Sequence, residues 1–83
     1  MGQTVHWKAP TTTRKWKGLA EVVMTVVTTD RKDDEPRIDV RVMRTTDHPS
    51  GAGYTREGVR MTMEDAYSLA QAIIRTVDSI KAD

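Results

Sequence analysis

The fold is decided by residues 58–81, which read GVRMTMEDAYSLAQAIIRTVDSIK. At the start of this stretch, Val59 and Met61 alternate with polar residues, and such alternation is typical of a half-buried β-strand. Thr62 is a suitable helix N-cap, and Asp65 occupies the position that completes a capping box. The sequence therefore predicts a strand that leads directly into a helix.

The predicted helix is apolar along one side. Its apolar residues recur at the three-and-four spacing of a helical stripe, so we expect the stripe to cover one face of a sheet. The residues of this stripe are Ala66, Leu69, Ala70, Ile73, Val77 and Ile80. Three more apolar residues widen one flank, where they either touch the sheet edge or form a dimer interface: Met63, Tyr67 and Ile74.

The preceding sequence predicts three strands. Residues 19–29 are rich in valine and threonine on both faces, which indicates a strand that needs cover on both sides. Residues 37–45 alternate between apolar and polar side chains, and residues 54–62 do so again. A charged turn at residues 30–36 and a proline- and glycine-containing turn at residues 47–53 separate the strands. An antiparallel meander is the simplest arrangement.

The N-terminal region has a different composition. Residues 1–18 carry only basic charges and include Pro10, so we expect a loosely ordered basic arm with at most a short strand over residues 4–8. Residues 19–83 then form a single β-β-β-α domain. The predicted fold class is α+β, with an antiparallel meander of three to four strands followed by one C-terminal helix.

Size and composition favour a homodimer. A chain of 83 residues buries little core, and it has no cysteine with which to form a disulfide. One helix covers one face of a sheet, which leaves the second apolar face of residues 19–29 to another subunit. No apolar run is long enough to span a membrane, and no signal sequence is recognisable, so we expect a cytoplasmic protein.

The sequence does not predict catalysis. No serine lies in a nucleophile motif, and His6 and His48 lack both an orienting acid and metal-ligand spacing. The carboxylates Asp33 and Asp34 fall in a polar turn, where solvation explains them. We therefore expect a non-enzymatic protein without a metal or another cofactor.

Basic residues in the middle of the chain favour nucleic-acid binding. Arg37 and Arg41 share the outer face of one predicted strand, and Arg56 and Arg60 share that of the next. Together they would form a ridge that contacts phosphates, beside a tyrosine for base stacking. The candidate binding residues are Arg37, Arg41, Arg44, Arg56, Arg60, Tyr54, Lys15 and Lys17. Alternatively, the arginines solvate the sheet, with Asp39 and Glu57 as their cross-strand partners.

A resemblance points to the same function. The segments RIDVR at residues 37–41 and REGVRMT at residues 56–62, with a helix opening at Glu64, resemble the transcriptional coactivator family called positive cofactor four. The resemblance implies a curved antiparallel sheet, dimerisation through the helices and single-stranded DNA bound on a basic β-surface. It places DNA contacts on Arg41 and Arg56 and suggests a role in transcription or replication. Glu57 stands where the family usually has a basic residue.

A second resemblance suggests another class of function. The sequence MTMEDAYSLA at residues 61–70 resembles the strand-to-helix end of small actinobacterial and phage proteins, many of them without an assigned function. This resemblance implies a small protein-interaction module, encoded by a phage and acting on a host or regulatory protein. Such a module has no nucleic-acid role.

Overall fold

The computed structural model describes residues 2–11, 18–29, 35–46 and 48–82. The described residues form one antiparallel sheet with the strand order β1-β2-β3-β4, followed by one helix. The elements are β1 (Gly2–Pro10), β2 (Ala20–Thr28), β3 (Arg37–Arg44), β4 (Gly53–Thr62) and α1 (Met63–Ala82). The predicted α+β fold, a meander followed by a C-terminal helix, is confirmed.

Strand β1 is longer than the sequence predicted. We expected a loosely ordered arm with at most a short strand, but Gly2–Pro10 pairs with β2 along its whole length, with one register shift between Val5 and Trp7. An edge strand is held by its backbone hydrogen bonds to one neighbour, so it needs no regular apolar alternation. Pro10 fits because it is the last residue of this edge strand. Residues 12–17 of the expected arm lie outside the described residues.

The strand register divides the sheet into two chemically different faces. On the first, called the arginine face, Arg41 of β3 lies between Val23 of β2 and Gly58 of β4, while Asp39 lies between Thr25 and Arg60. The opposite side is called the apolar face. Its large apolar residues are Trp7, Val22, Met24, Val26, Ile38, Val40, Val42, Val59 and Met61, and Arg44 lies on the same side at the end of β3. This division confirms the alternation predicted for β3 and for the end of β4. The expected burial is reversed at two positions, since Val59 of the apolar face is 51 % exposed and Asp39 of the expected outer face is 1 % exposed.

The two faces differ in burial. On the arginine face, Val23, Thr25 and Val27 of β2 are buried. Their neighbours on the apolar face, including Val22 and Met24, remain partly exposed. Within one chain, the centre of β2 from Val22 to Val27 is therefore buried on one side alone.

Helix α1 begins as the sequence predicts. The Oγ1 atom of Thr62 accepts a hydrogen bond from the backbone N–H of Asp65 at 3.1 Å, which confirms Thr62 as the N-cap. Glu64 and Asp65 lie in the first turn and Lys81 in the last, so the charges at both ends interact favourably with the helix dipole. No helix in the described part of the chain is long and apolar enough to cross a membrane.

The prediction that α1 covers a face of its own sheet is wrong. The helix has no buried residue, and among the described strands it contacts β3 and β4 alone. The reason lies in the connection, since Met63 opens the helix directly after Thr62 closes the strand. Without a loop, the helix cannot turn back across the sheet. The flanking residues Met63, Tyr67 and Ile74 are exposed as well.

Candidate nucleic-acid interface

A buried carboxylate holds two arginines at the centre of the arginine face. The side chain of Asp39 is 1 % exposed. Its Oδ1 atom accepts a hydrogen bond from Nε of Arg41 at 2.9 Å, and its Oδ2 atom accepts one from Nη2 of Arg41 at 3.0 Å. Oδ2 also accepts a bond from Nε of Arg60 at 3.2 Å. The paired bonds from Arg41 form a bidentate ion pair, which is the strong form of this interaction.

The strand register brings these three residues together. Asp39 and Arg41 are two residues apart, so they project from the same face of β3, and Arg60 lies directly opposite Asp39 on β4. Gly58 lies opposite Arg41, and its lack of a side chain leaves room for the arginine. A Cβ atom at Gly58 would come within 2.6 Å of the Cβ atom of Arg41.

The charges of this cluster stabilise one another. Burial by itself raises the pKa of Asp39, but the hydrogen bonds from Arg41 and then Arg60, with their positive charges, outweigh burial and hold the pKa below its usual value. The hydrogen bond to Asp39 raises the pKa of Arg41 further, against the opposing effect of burial. Asp39 is thus ionised at neutral pH, and the cluster carries a net positive charge.

The two arginines differ in how many of their guanidinium nitrogens donate hydrogen bonds within the protein. Arg41 also donates from Nη1 to the backbone carbonyl of Thr55 at 2.8 Å, so all three of its nitrogen atoms have acceptors, and its side chain is 21 % exposed. Arg60 is 48 % exposed and bonds through Nε alone within the described residues. Its two terminal nitrogens therefore have no acceptor among the described residues, whereas all three nitrogens of Arg41 have one.

Further cations surround this cluster. Arg37 projects from the same face of β3, opposite Thr62, and Lys8 of β1 lies opposite Val23. Both side chains are exposed and form no hydrogen bond or ion pair with another described residue. Arg56 of β4 is likewise exposed, beside the register shift that separates the two halves of the β3–β4 pairing.

Arg44 and Tyr54 lie away from this cluster, and alternation along β3 places Arg44 on the apolar face with Val42. Arg44 donates from Nε to the carbonyl of Gly51 at 3.0 Å, which ties the end of β3 to the following turn. Tyr54 lies opposite Met43 and is 44 % exposed, so its ring is available for stacking. Lys15 and Lys17 lie outside the described residues.

The sequence reasoning missed Lys8 as a member of this surface. Residues 4–8 were considered as a short strand, but the face on which Lys8 projects depends on the register shift between Val5 and Trp7. That shift also places Trp7 opposite Met24, on the apolar face, away from the arginines. No sequence signal marked the shift.

The arrangement gathers exposed cationic groups on one face of the sheet formed by the described residues. They include no group of three or more histidine or acidic side chains that could hold a metal ion. No protein-family model, curated protein or solved structure matches this chain.

Proposed function

We propose that this protein is a homodimer that binds single-stranded nucleic acid, DNA or RNA, on the arginine face of its sheet, without catalysing a reaction. The observation that supports this function is the position of Arg37, Arg60 and Lys8. All three project from one face and expose cationic groups, while the opposite face is apolar. Phosphate groups are the ligands that such a surface attracts.

The Asp39 cluster supports this proposal by fixing the geometry of the surface. A guanidinium held by a buried carboxylate loses little conformational freedom when its remaining N–H groups bind a phosphate. Arg60 has this arrangement, since Nε is bound to Asp39, the terminal nitrogens have no acceptor among the described residues, and the side chain is 48 % exposed. Tyr54 adds an exposed ring for stacking with a base.

Fluorescence anisotropy with labelled single-stranded DNA, at low and at moderate salt, tests the proposal. The double variant Lys8→Ala and Arg37→Ala removes two exposed cations from the arginine face. If each of these cations contacts one phosphate of a single strand, the slope of log affinity against log salt concentration should become less steep by about 1.4. The matched control, Arg75→Ala with Lys81→Ala, removes the same charge from the helix and should bind like the unaltered protein.

Two outcomes would contradict nucleic-acid binding. The first is the absence of salt-sensitive binding at micromolar protein in low salt. The second is an equal loss of affinity in both double variants, because it would mean that overall charge, and not the arginine face, attracts the DNA.

A protein-interaction module without a nucleic-acid role is the second candidate function, acting on a host or regulatory protein. The observation that favours it is the exposed apolar side of α1, since large apolar patches on a surface mark protein contacts. A labelled DNA that does not bind, together with a specific protein captured by the unaltered chain and lost with Ile73→Asp, would favour this candidate.

A further inference from the structure

Two apolar surfaces of this chain lack cover. One is the apolar face of the sheet, whose residues are partly or largely exposed. The other is the side of α1 formed by Leu69, Ile73, Val77 and Ile80, which are between 42 % and 69 % exposed. Neither surface covers the other, because α1 has no buried residue. Apolar patches of this extent are rare on monomeric proteins.

The chain is more extended, and exposes more surface, than a compact monomer of its size. Its radius of gyration is 14.9 Å, whereas a compact domain of this length has about 12 Å. Its accessible surface is 6574 Å², and a compact monomer of this mass exposes about 5,000 Å². The excess of about 1,500 Å² lies in the range that one subunit buries in an obligate homodimer.

We infer that a second copy of this chain supplies the missing cover, with α1 of each subunit packed on the apolar face of the other. This inference rests on the homodimer of the proposed function and names its surfaces. A two-fold axis allows the exchange, because each subunit then offers one helix and receives one. The lengths agree, since a helix of 20 residues and a strand of nine residues are both about 30 Å long.

The composition of the helix surface suits burial against aliphatic side chains. A shallow hollow on α1 is lined by Leu69, Ala72, Ile73, Thr76 and Val77. Thr76 is its one polar member, and its hydroxyl group already donates a hydrogen bond to the carbonyl of Ala72 at 2.7 Å. Burial would therefore leave no donor unpaired. The charged residues Arg75 and Asp78 lie around the helix from this side and would stay in solvent.

Site-directed cross-linking distinguishes this pairing from other dimers. The chain contains no cysteine, so single replacements report specific contacts. Ile73→Cys marks the centre of the helix surface, and Val40→Cys marks the centre of the apolar face. The two full-length variants are co-expressed with tags of different size and then oxidised. A disulfide between the two variants should predominate, and Gln71→Cys, on the other side of the helix, should not cross-link to Val40→Cys.

Sedimentation equilibrium measures the assembly itself. The unaltered chain should have twice the monomer mass of 9.4 kDa, and Ile73→Asp should lose the dimer. Because Ile73→Asp could also fail to fold, the cross-links provide the independent measurement. A monomer mass at tens of micromolar would overturn the inference, and so would Ile73→Cys that pairs with itself in preference to Val40→Cys.

The two proposals can fail separately. A monomer that retains salt-sensitive binding to single-stranded DNA would overturn the exchange of helices between subunits and would still support the arginine face as a binding surface. A dimer that shows the expected cross-links without binding DNA would support the exchanged helices and overturn the arginine face as a DNA-binding surface.

Discussion

Gly58 lies directly opposite Arg41 in the β3–β4 pairing, and a Cβ atom at Gly58 would be 2.6 Å from the Cβ atom of Arg41. It would also be 2.6 Å from the carbonyl oxygen of Val40. These neighbours are backbone or near-backbone atoms, so they cannot move aside without disturbing the strand. The glycine thus allows β3 and β4 to approach closely at Arg41, beside Asp39.

We therefore expect Gly58→Ala to destabilise the protein. The added methyl group must push Arg41 and β3 away, and overpacking of this kind costs about 2 kcal/mol of unfolding free energy. Urea denaturation at a fixed protein concentration measures the change. Arg56→Ala, an exposed change in the same strand, serves as the control and should stay within about 0.5 kcal/mol. Equal stability of Gly58→Ala and the unaltered protein would mean that the strands separate easily at this point.

Replacing Asp39 with asparagine tests the buried ion pair. Asp39→Asn keeps the size of the side chain but leaves Arg41 and Arg60 without a counter-charge, and breaking a buried pair in this way costs about 3 kcal/mol. The exposed change Asp78→Asn on α1 should have an effect below about 0.5 kcal/mol. Thermal or urea unfolding of both variants gives the comparison. A similar small effect for both would show that the two arginines find other acceptors at no cost.

The lowered pKa of Asp39 also makes the stability of the protein depend on pH. The pKa of Asp39 lies below its usual value of 3.8 in the folded protein, so the folded state binds a proton at this site less readily than the unfolded state. Its contribution is complete well above pH 3.8 and is lost as the pH falls through that value and then through the lower folded pKa. The stability difference between the unaltered protein and Asp39→Asn should accordingly shrink below about pH 4. A difference that stays constant down to about pH 2.5 would contradict this.

The helix N-cap offers a local test. Thr62→Ala removes the oxygen that accepts the N–H of Asp65, and the loss of such a cap costs about 1 kcal/mol. Thr62→Ser retains the hydroxyl group and should recover most of the stability. Circular dichroism during urea unfolding measures both variants. If serine and alanine are equally destabilising, the methyl group of Thr62 matters more than its hydrogen bond.

The extent to which the sequence predicted this structure follows from the range of each interaction. The N-cap at Thr62 and the alternation of Val40 with Arg41 depend on neighbouring residues, so local patterns reveal them. The length of β1 depends on its pairing with β2, and the exposure of α1 depends on the direction in which the helix leaves the sheet. Neither the length of β1 nor the exposure of α1 can be predicted from a local sequence pattern. The helical stripe indicated correctly which side is apolar, but not which surface that side would meet.

The candidate site was predictable to a similar degree. Alternation placed Arg37 and Arg41 on one face, and the register adds that Arg60 joins them. As the alternative to nucleic-acid binding, the sequence predicts Asp39 only as a cross-strand partner of arginines on a solvated face, and it does not predict the burial of Asp39. The structure makes the two compatible. Asp39 and the backbone carbonyl of Thr55 together occupy all three nitrogens of Arg41, whereas Arg60 is bound through Nε alone among the described residues.

The difference between Arg41 and Arg37 gives the last prediction. Arg41 donates three hydrogen bonds within the protein, so Arg41→Ala should lower stability by about 3 kcal/mol, since it removes one partner of a buried ion pair. Arg37 has no partner among the described residues, so Arg37→Ala should leave stability within about 0.5 kcal/mol. If it contacts one phosphate, it should instead reduce the salt slope of single-stranded DNA binding by about 0.7. Urea unfolding and anisotropy on the same two variants measure both effects. A loss of stability in Arg37→Ala, or unchanged stability in Arg41→Ala, would show that the arginines have been assigned to the wrong roles.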